Sequence, residues 1–349
     1  MTRRLPAEFE PHERTVMCWP ARASLYGDLM DPARDAHALV ADTIAAYEPV
    51  TMIAAPGGDA DDAAARCSAD VDVIEVDLDD SWFRDTGPIY VLDRDDGDVT
   101  GGDANSREVL VATDWVFNGW GEKFTPYDAD AALAHRFATR AGHRVEAVDM
   151  VLEGGSITSD GHGTVITTAQ CLMHPNRNPT LSRTGIQAHL ERHLGAYEVI
   201  WLPFGLIDDD DTDGHVDNVA AFADPLTVIV QGCDDHDAPD HHRLGINRRW
   251  IEGRSTHGSS PAPLRVVEIP VLPFAEIAGR RVPVPYLNFY IGNGFVVVPV
   301  SGHGADDEMV ALIAEQFGDR DTIALDIGAI LAHGGGGIHC ITQQIPAVI

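Results

Sequence analysis

The chain has 349 residues, of which 44% are hydrophobic, and its 55 Asp and Glu residues against 24 Lys and Arg residues give a formal net charge of −31. This length and composition are ordinary for a globular protein with a buried core, whereas the negative charge argues against nucleic acid and anionic membranes as partners. No apolar run approaches the roughly 20 residues that span a bilayer, and the first residues lack the apolar segment of a signal peptide, so we expect a cytoplasmic protein.

Strands and helices are predicted to alternate along the chain. Short β-branched runs bounded by Gly, Pro or Asp predict strands at residues 50–53, 71–76, 109–111, 145–151, 164–168, 199–201, 226–230, 266–271 and 295–300. Apolar residues at helical spacing predict helices at residues 35–47, 128–141, 180–194 and 305–317. This alternation indicates an α/β protein.

The domain organisation predicted from the sequence is simple. No linker or low-complexity segment interrupts residues 1–349, so we expect a single domain. The acidic residues 93–103 and the polar residues 234–263 are interpreted as surface excursions, the second of them as a mobile loop.

The acidic composition has two compatible interpretations. It is typical of a surface adapted to high salt, where screening removes the repulsion between like charges. The same field would raise the local concentration of a cationic substrate.

The five cysteines are scattered and form no CxxC pair. This pattern favours reduced thiols over a disulfide framework or a zinc ribbon. Cys171 lacks a glycine-rich neighbourhood, and we expect it to be structural. The pair His241 and His242 lies in the polar segment, where solvated side chains are expected rather than metal ligands.

The segment HGGGGIHCITQQIP near the C-terminus is the strongest chemical signal. A glycine run lets backbone approach a ligand closely, and backbone N–H groups beside a cysteine favour its thiolate, so Cys340 is a candidate nucleophile. The alternative is a flexible tail with a buried cysteine. If this segment is a strand, His339 and Cys340 point to opposite faces, and His339 is not the base.

The segment DDDDTDGHVDN, residues 208–218, allows three kinds of site. It begins like a calcium-binding loop, but its twelfth position is Ala220 where a bidentate Glu is needed. Its D-x-H-x-D pattern also resembles one motif of a dinuclear manganese site, although no companion motif is found. We favour metal-free acid–base chemistry, in which His215 transfers protons and Asp217, on the same face of an extended segment, holds a cation.

Two further segments place a carboxylate in a site-like context. In SWFRDTGPIYV, Asp85 and Trp82 precede a turn, and a carboxylate beside an aromatic ring suits a planar cation. In LEGGSI, Glu153 follows an apolar strand and precedes two glycines. Taken singly, Asp85 could merely cap the turn, and Glu153 is weak evidence.

Together these segments resemble the agmatine deiminase family, which also includes bacterial peptidyl-arginine deiminases. The resemblance runs along nearly the whole chain, in the ordered motifs LPAEFEPHERTVMCWP, WFRDTGP, LEGGSI, TDGHVDN, NFYIGNGFVVVPV and GGGIHCITQQIP. It implies the pentein fold, an α/β propeller of five ββαβ units with pseudo-fivefold symmetry, and no metal or organic cofactor.

The resemblance also implies roles for individual residues. Cys340 matches the nucleophile, His215 the general acid/base, and Glu153 the carboxylate that orients the histidine. Asp85 and Asp217 match the carboxylates that bind the guanidinium group.

The walls of the substrate channel follow from the same resemblance. Trp82 matches an aromatic side chain of that channel. Asp211 lies toward the distal amine of agmatine, at a position where the family commonly has Glu, which leaves the substrate open. Gly337 replaces a common Asn and is expected to loosen the nucleophile loop, and Tyr26 is a candidate replacement for a missing Trp.

The implied activity is hydrolysis of agmatine to N-carbamoylputrescine and ammonia through a covalent thiouronium. The alternatives are deimination of free or peptidyl arginine, amidino transfer, and manganese-dependent hydrolysis. A non-catalytic acidic binding protein is the last alternative. The expected partner is a small cationic guanidino compound, and the oligomeric state is left open, with a homo-oligomer as one option.

Overall fold

The structure, a computed structural model, describes residues 3–95, 107–257 and 261–348. Each of the nine β-branched runs overlaps a strand, and each of the four periodic segments overlaps a helix, so the α/β class is confirmed. No helix of these three ranges is long and apolar enough to cross a membrane.

The strands of the described residues are short. In chain order they are β1 (Arg3–Arg4), β2 (His12–Cys18), β3 (Val50–Ala54), β4 (Val71–Glu75), β5 (Ile89–Asp95), β6 (Arg107–Val116), β7 (Arg144–Val151), β8 (Ile157–Ser159), β9 (Thr164–Thr168), β10 (Glu198–Leu202), β11 (Ala220–Asp224), β12 (Thr227–Gln231), β13 (Arg265–Ile269), β14 (Phe274–Ile277), β15 (Arg280–Pro283), β16 (Tyr290–Gly292), β17 (Phe295–Val300), β18 (Asp321–Asp326) and β19 (Thr342–Pro346).

Helices connect these strands, and several consist of a single turn. They are α1 (Ala23–Tyr26), α2 (Met30–Ala45), α3 (Gly58–Arg66), α4 (Phe83–Thr86), α5 (Gly119–Glu122), α6 (Asp128–Ala131), α7 (Leu133–Arg140), α8 (Ala169–Leu172), α9 (Arg183–Leu194), α10 (Pro239–Ile251), α11 (Asp306–Ala314), α12 (Gly328–His333) and α13 (Ile338–Ile341). Short 3₁₀ turns occur at Gly27–Leu29, Gly154–Ser156 and Val216–Asn218.

One pairing pattern recurs in five sheets of the described chain. In each of them an antiparallel pair is followed by a parallel pair, as in β5-β6-β7, β8-β9-β10, β11-β12-β13, β16-β17-β18 and β19-β2-β3. Strands β14 and β15 form a separate hairpin. Parallel neighbours need a crossover connection, and the longer helices supply it, as α2 does between β2 and β3.

The core lies where helices cover these sheets. On α2, residues spaced for one face are buried, among them Val40, Ala41 and Ile44. They belong to the same apolar cluster as Met17 of β2 and Met52 of β3. Burial of such apolar surface contributes about 25 cal/mol per Å² and fixes the helix on the sheet.

The two ends of the chain meet in one sheet, and this brings Cys340 toward the N-terminal half. Strand β19 pairs antiparallel with β2, with Thr342 opposite Met17. Helix α13, which carries Cys340, immediately precedes β19 and packs against α4, which carries Asp85.

The prediction that residues 234–263 form a mobile surface loop is wrong in part. The polar segment 234–263 contains the 13-residue helix α10, Pro239–Ile251. Of the acidic segment, residues 93–95 belong to β5, and residues 96–103 lie outside the described residues. The single domain over residues 1–349 stays a prediction.

Candidate active site

Cys340 lies on the one-turn helix α13, directly after the glycine run 334–337. Its side chain is nearly buried and touches Asn288, whose Nδ2 donates to Sγ at 3.2 Å and whose Oδ1 accepts from the Cys340 N–H at 3.3 Å. The thiol also lies 3.5 Å from Oδ2 of Asp217. The sulfur is thus held between an amide and a carboxylate.

The segment around Cys340 is helical, so the strand geometry assumed for His339 is wrong. The two side chains do not point to opposite faces, because Nδ1 of His339 and the sulfur of Cys340 both contact Oδ2 of Asp217, while Nε2 of His339 lies beside Glu8. His339 therefore borders the site through Asp217.

Two glycines of the run leave room for cleft residues. A Cβ on Gly336 would lie 2.5 Å from the Trp82 ring and 3.0 Å from the Cys340 sulfur. A Cβ on Gly335 would lie 2.8 Å from Oδ2 of Asp211, and its φ of 102° is one that side chains rarely adopt. The glycines thus let the backbone pass directly beside the thiol.

The flanking glycines of the run are just as crowded. A Cβ on Gly334 would lie 2.4 Å from the Tyr26 hydroxyl oxygen, and one on Gly337 would lie 2.4 Å from Oδ1 of Asn288. Tyr26 therefore borders the glycine run. Gly337 makes room for the amide that contacts the thiol, which gives this departure from the family pattern a packing role.

His215 is fully buried, just before the 3₁₀ turn Val216–Asn218. Its Nδ1 lies 3.8 Å from Oδ2 of Asp85. Burial alone would lower the pKa of the imidazole, but the negative charge of Asp85 and contact with Cys171 raise it well above its usual value. An imidazole that holds its proton can deliver it to a leaving group.

A glycine explains how three titratable groups approach one another. A Cβ on Gly155 would lie 2.6 Å from Nδ1 of His215, 2.8 Å from Oδ2 of Asp217 and 3.0 Å from Oδ1 of Asp85. The predicted residues Asp85, His215 and Asp217 therefore surround one point of the backbone.

The Asp85 carboxylate is fixed by two donors. Its Oδ1 accepts from the Gly155 N–H and its Oδ2 from Nε1 of Trp120, both at 2.9 Å. Trp120 has a left-handed backbone (φ 53°, ψ 42°), which is rare for a bulky residue and typical of functional sites. Burial and the nearby Asp217 raise the pKa of Asp85 although His215 opposes the shift.

Asp217 is buried but remains acidic. Burial acts to raise its pKa, but the hydrogen bond and charge of His339, at 3.0 Å, together with the charges of His215 and Arg84, outweigh that effect and lower it. The carboxylate thus stays ionised beside the thiol.

Glu153 is held by Arg177 rather than by the histidine. Nε of Arg177 donates to Oε1 at 2.6 Å, while Oε2 has no hydrogen-bond partner within the described ranges. Glu153 and His215 come within 4.8 Å of each other without a hydrogen bond between them. The structure therefore brings Glu153 to the histidine, and its orienting role stays a prediction.

Cys340 opens on a cleft of about 330 Å³, its open mouth included. Aromatic rings and carboxylates line this cleft together with the thiol. The lining residues are Asp80, Trp82, Asp85, Trp120, Phe124, Asp211, Thr212, Gly334, Gly335 and Cys340. Aromatic faces and carboxylates together suit an organic cation. Trp82 and Asp211 both line this cleft, as predicted residues of a substrate channel would.

The thiol is not a thiolate in this arrangement. Burial, then the negative charges of Asp217 and Asp85, raise the pKa of Cys340 well above its usual value. Contacts from Gly337 and Asn288 oppose the shift but do not cancel it. A cation between the carboxylates would reverse the field at the sulfur.

Two aspartates of the segment 208–218, Asp209 and Asp213, are each held by several protein donors. Asp209 accepts from Thr212, from the His215 N–H at 3.0 Å and from Asn218 at 3.1 Å. Asp213 pairs with Lys123 at 2.7 Å and with Arg177 at 2.6 Å. Because these donors occupy the oxygens of Asp209 and Asp213, the arrangement favours neither the calcium loop nor the dinuclear manganese site.

Besides the cleft residues Asp80, Phe124 and Thr212, four contributors to the site had no role assigned from the sequence. Asn288 and Glu8 lie in motifs that carry the family resemblance, and Arg177 lies in a Pro- and Asn-rich turn, but their contacts come from distant segments. Trp120 follows an Asn-Gly pair and had no signal beyond its residue type.

Known proteins resemble this chain along its whole length. A model of the Porphyromonas-type peptidyl-arginine deiminase family matches residues 4–346. The agmatine deiminase of Pseudomonas aeruginosa is 39% identical over 372 residues, covering 99% of this chain and 95% of that protein. The agmatine deiminase of Stutzerimonas stutzeri is 37% identical over 367 residues, covering 98% and 95%. The solved structure of an Enterococcus faecalis agmatine deiminase gives a TM-score of 0.91 at 29% identity, covering 100% of this chain and 97% of that one.

Proposed function

Since the chain belongs to the Porphyromonas-type peptidyl-arginine deiminase family, we propose that it is a deiminase of agmatine. The reaction would convert agmatine and water to N-carbamoylputrescine and ammonia, a step of putrescine formation or agmatine breakdown. The observation that carries the proposal is the thiol of Cys340, which opens on the cleft and contacts the carboxylate of Asp217.

Binding of the guanidinium group begins the reaction. Asp85 and Asp217 accept its N–H groups, and bidentate pairs of this kind fix a planar cation in one orientation. Trp82 and Trp120 offer flat faces for the same cation, and Asp211 attracts the distal ammonium group. Two hydrogen-bond donors already hold the Asp85 carboxylate in place, so little reorganisation of this side chain is needed when the cation binds.

The substrate itself activates the nucleophile. In the free site burial and the two carboxylates raise the pKa of Cys340 and keep it protonated, and a bound guanidinium cation neutralises the field of the carboxylates. The thiolate then attacks the central carbon of the guanidinium and forms a tetrahedral adduct. Asn288, which donates to the sulfur at 3.2 Å, stabilises the thiolate during this step.

His215 moves the protons of both half-reactions. Its raised pKa supports a proton on the ring, which passes to the departing nitrogen so that ammonia leaves and a covalent thiouronium remains. The neutral ring then takes a proton from water, whose oxygen attacks the same carbon. Collapse of the second adduct releases the ureido product and restores Cys340. Glu153, which lies close to the His215 ring, keeps that ring in position.

The repeated sheet pattern supports the finer architecture. Five sheets with the same antiparallel-then-parallel order fit five related ββαβ units of a pentein propeller in one domain. Such a fold gathers loops from separate units at one site, as Asp85, Glu153, His215 and Cys340 require.

A panel of guanidino substrates tests the proposal. Ammonia release is measured in high salt with agmatine, free arginine, a peptidyl arginine and a four-carbon alkylguanidine. Agmatine should be turned over with the highest kcat/KM, since a carboxylate at the distal end of the substrate would be repelled by Asp211 in the cleft. A preference for either arginine compound would contradict the assignment of agmatine.

The covalent step needs its own experiment. Cys340→Ser should abolish turnover while the thermal unfolding temperature stays unchanged, and Cys233→Ser serves as the matched control, since Cys233 is not part of the cleft lining. During turnover of agmatine by the wild type, intact-mass spectrometry after rapid acid quench should detect the thiouronium on the protein, and Cys340→Ser should lack it. Near-native turnover by Cys340→Ser would exclude the nucleophile.

A further inference from the structure

A second thiol lies beside His215. Cys171 in α8, Glu153 before the 3₁₀ turn Gly154–Ser156, and His215 each bring one potential ligand atom within 4.8 Å of the others. The three residues come from three separate segments, and all three are fully buried. Within the described ranges, a thiol, an imidazole and a carboxylate thus come together in a cluster that does not include Cys340.

Several buried polar atoms of this cluster are unpaired. Oε2 of Glu153 and both ring nitrogens of His215 lie buried without a hydrogen-bond partner within the described residues. Buried polar atoms in native proteins are nearly always paired, because an unpaired one costs about 1–3 kcal/mol. Two fully buried side chains with unpaired polar atoms therefore lie close to the Cys171 sulfur.

The ligand types fit a thiophilic divalent cation. Zinc binds Cys sulfur, His nitrogen and carboxylate oxygen at about 2.0–2.3 Å, and sites with three protein ligands keep a fourth position open. In a tetrahedral shell of that radius the ligand atoms lie about 3.3–3.8 Å apart, so the cluster needs only a modest contraction. Arg177 already holds the other oxygen of Glu153 at 2.6 Å, which orients the carboxylate.

The surrounding field favours a cation. Asp85 lies 3.8 Å from the His215 ring, and Asp217 lies beside Gly155, the glycine that both of these residues also approach. The chain as a whole carries a charge of −31. These charges offset the cost of bringing a second cation near Arg177.

We propose that Glu153, Cys171 and His215 form a reversible binding site for a thiophilic divalent cation such as Zn²⁺, and that its occupation inhibits the enzyme. Binding forms bonds from zinc to the Cys171 sulfur, a His215 ring nitrogen and a Glu153 oxygen. It releases two protons to solvent, one from the Cys171 thiol and one from the charged His215 ring, with no change of oxidation state. The inhibition rests on the proposed function, because the cation occupies the His215 nitrogen that would carry the proton. The binding itself does not depend on that function.

Equilibrium dialysis of Zn²⁺ in a non-chelating buffer tests the site on the full chain. The wild type and Cys340→Ser should each bind one equivalent. Cys171→Ser should lose affinity by more than about 100-fold, beyond the 10- to 100-fold effect of losing an outer-shell partner. Cys233→Ser, at a thiol outside the cluster, should bind like the wild type.

Two further readouts separate the site from the nucleophile. Zn²⁺ should raise the thermal unfolding temperature of Cys340→Ser but not of Cys171→Ser, since a ligand that binds the native state stabilises it. Cd²⁺ should give a thiolate charge-transfer absorption that Cys171→Ser and Cys171→Ala both lack. Loss of binding in Cys340→Ser, or unchanged binding in both Cys171 variants, would overturn the proposal.

Inhibition of the enzyme by Zn²⁺ tests the second part of the proposal. Zn²⁺ should inhibit ammonia release by the wild type and by Cys233→Ser at the concentration that fills the site. It should inhibit Cys171→Ser at least about 100-fold less effectively, in line with the loss of a direct ligand. If no guanidino substrate is turned over, the proposed function fails while the dialysis result still decides the site. Full occupancy without inhibition would refute the inhibitory part.

Discussion

Nδ1 of His339 lies 3.0 Å from Oδ2 of Asp217, the same oxygen that lies 3.5 Å from the sulfur of Cys340. The other ring nitrogen lies 2.8 Å from Oε2 of Glu8. An imidazole between two carboxylates donates from both nitrogens, which requires the charged form. Burial and Arg84 act against that charge, but Glu8 and Asp217 prevail and raise the pKa of His339.

His339 is therefore a positioning residue that keeps Asp217 ionised beneath the bound cation. His339→Asn keeps one donor but removes the charge, and a hydrogen bond to a charged group contributes about 1.5–3 kcal/mol. We expect kcat/KM for agmatine to fall by roughly 10- to 100-fold, as that energy implies. Because the pKa of Asp217 is lowered partly by His339, the acid limb of the pH–rate profile should move to higher pH.

The pH profile distinguishes this role from a structural one. The matched control is His135→Asn, at a mostly exposed histidine that lies 3.4 Å from Asp114 and outside the cleft lining. It should leave the profile unchanged. If His339→Asn lowers the rate at every pH without moving the acid limb, the ring does not act through the charge of Asp217.

Gly337 provides a second prediction, on the packing of the nucleophile. A Cβ at this position would lie 2.4 Å from Oδ1 of Asn288, the amide that contacts Cys340. Gly337→Ala should displace that amide and reduce kcat, since overpacking of a buried contact costs about 1–3 kcal/mol. Steady-state kinetics with agmatine, alongside urea unfolding, would separate the effect on activity from that on stability.

The double variant shows whether the amide carries the effect. Once Asn288→Ser has removed the clash, Gly337→Ala should cost little more, so the two changes should be strongly non-additive. Gly318→Ala is the matched control, because its Cβ would meet nothing within 4 Å. Additive losses would show that Gly337 acts independently of Asn288.

The strands were predictable because their signal is local. Runs such as 164–168 and 295–300 are β-branched and buried, and their boundaries coincide with β9 and β17. Helix α10 was missed because its buried face is partly polar. Asp240 accepts from the Ile207 N–H, and Asn247 hydrogen-bonds both backbone groups of Phe204. These polar side chains are buried because they hold a neighbouring loop in place.

The site divides in the same way. Asp85, His215 and Cys340 lie in short motifs whose residue types already suit the chemistry, and the fold brings them together. Asn288 and Arg177 contact the site from segments 52 and 24 residues away in sequence from their partners. Such contacts depend on how strands from separate sheets converge, and single-sequence patterns carry no information about that.

Asp211 leads to a prediction on substrate choice. It lines the cleft, and burial raises its pKa although Arg280 and Lys123 oppose the shift. Asp211→Asn should raise KM for agmatine by about tenfold, equivalent to 1.4 kcal/mol of lost attraction to the distal ammonium. KM for a four-carbon alkylguanidine without that amine should barely change. Equal losses for both compounds would mean that Asp211 does not contact the ammonium group.

Asp130 gives a prediction on stability that is independent of the site. Its carboxylate is buried and accepts from the backbone N–H groups of Asp79 and Asp80, at 2.7 and 3.2 Å. Burial, opposed by those hydrogen bonds and reinforced by the neighbouring charges, raises its pKa to about 7. The folded state thus binds this proton more tightly than the unfolded state, where the carboxyl group has a pKa of about 3.9.

The sign of the effect on folding follows from linkage. The contribution of Asp130 to stability is fully present below about pH 3.9, falls as the pH rises and is lost above about pH 7. Asp130→Asn cannot ionise, so it should flatten the fall in unfolding free energy between pH 5 and pH 8, measured by urea titration at constant high salt. Asp70→Asn, at an exposed aspartate, is the control and should follow the wild type. If the wild type and Asp130→Asn lose stability in parallel over this range, Asp130 is already ionised in the folded protein at the lower end of it.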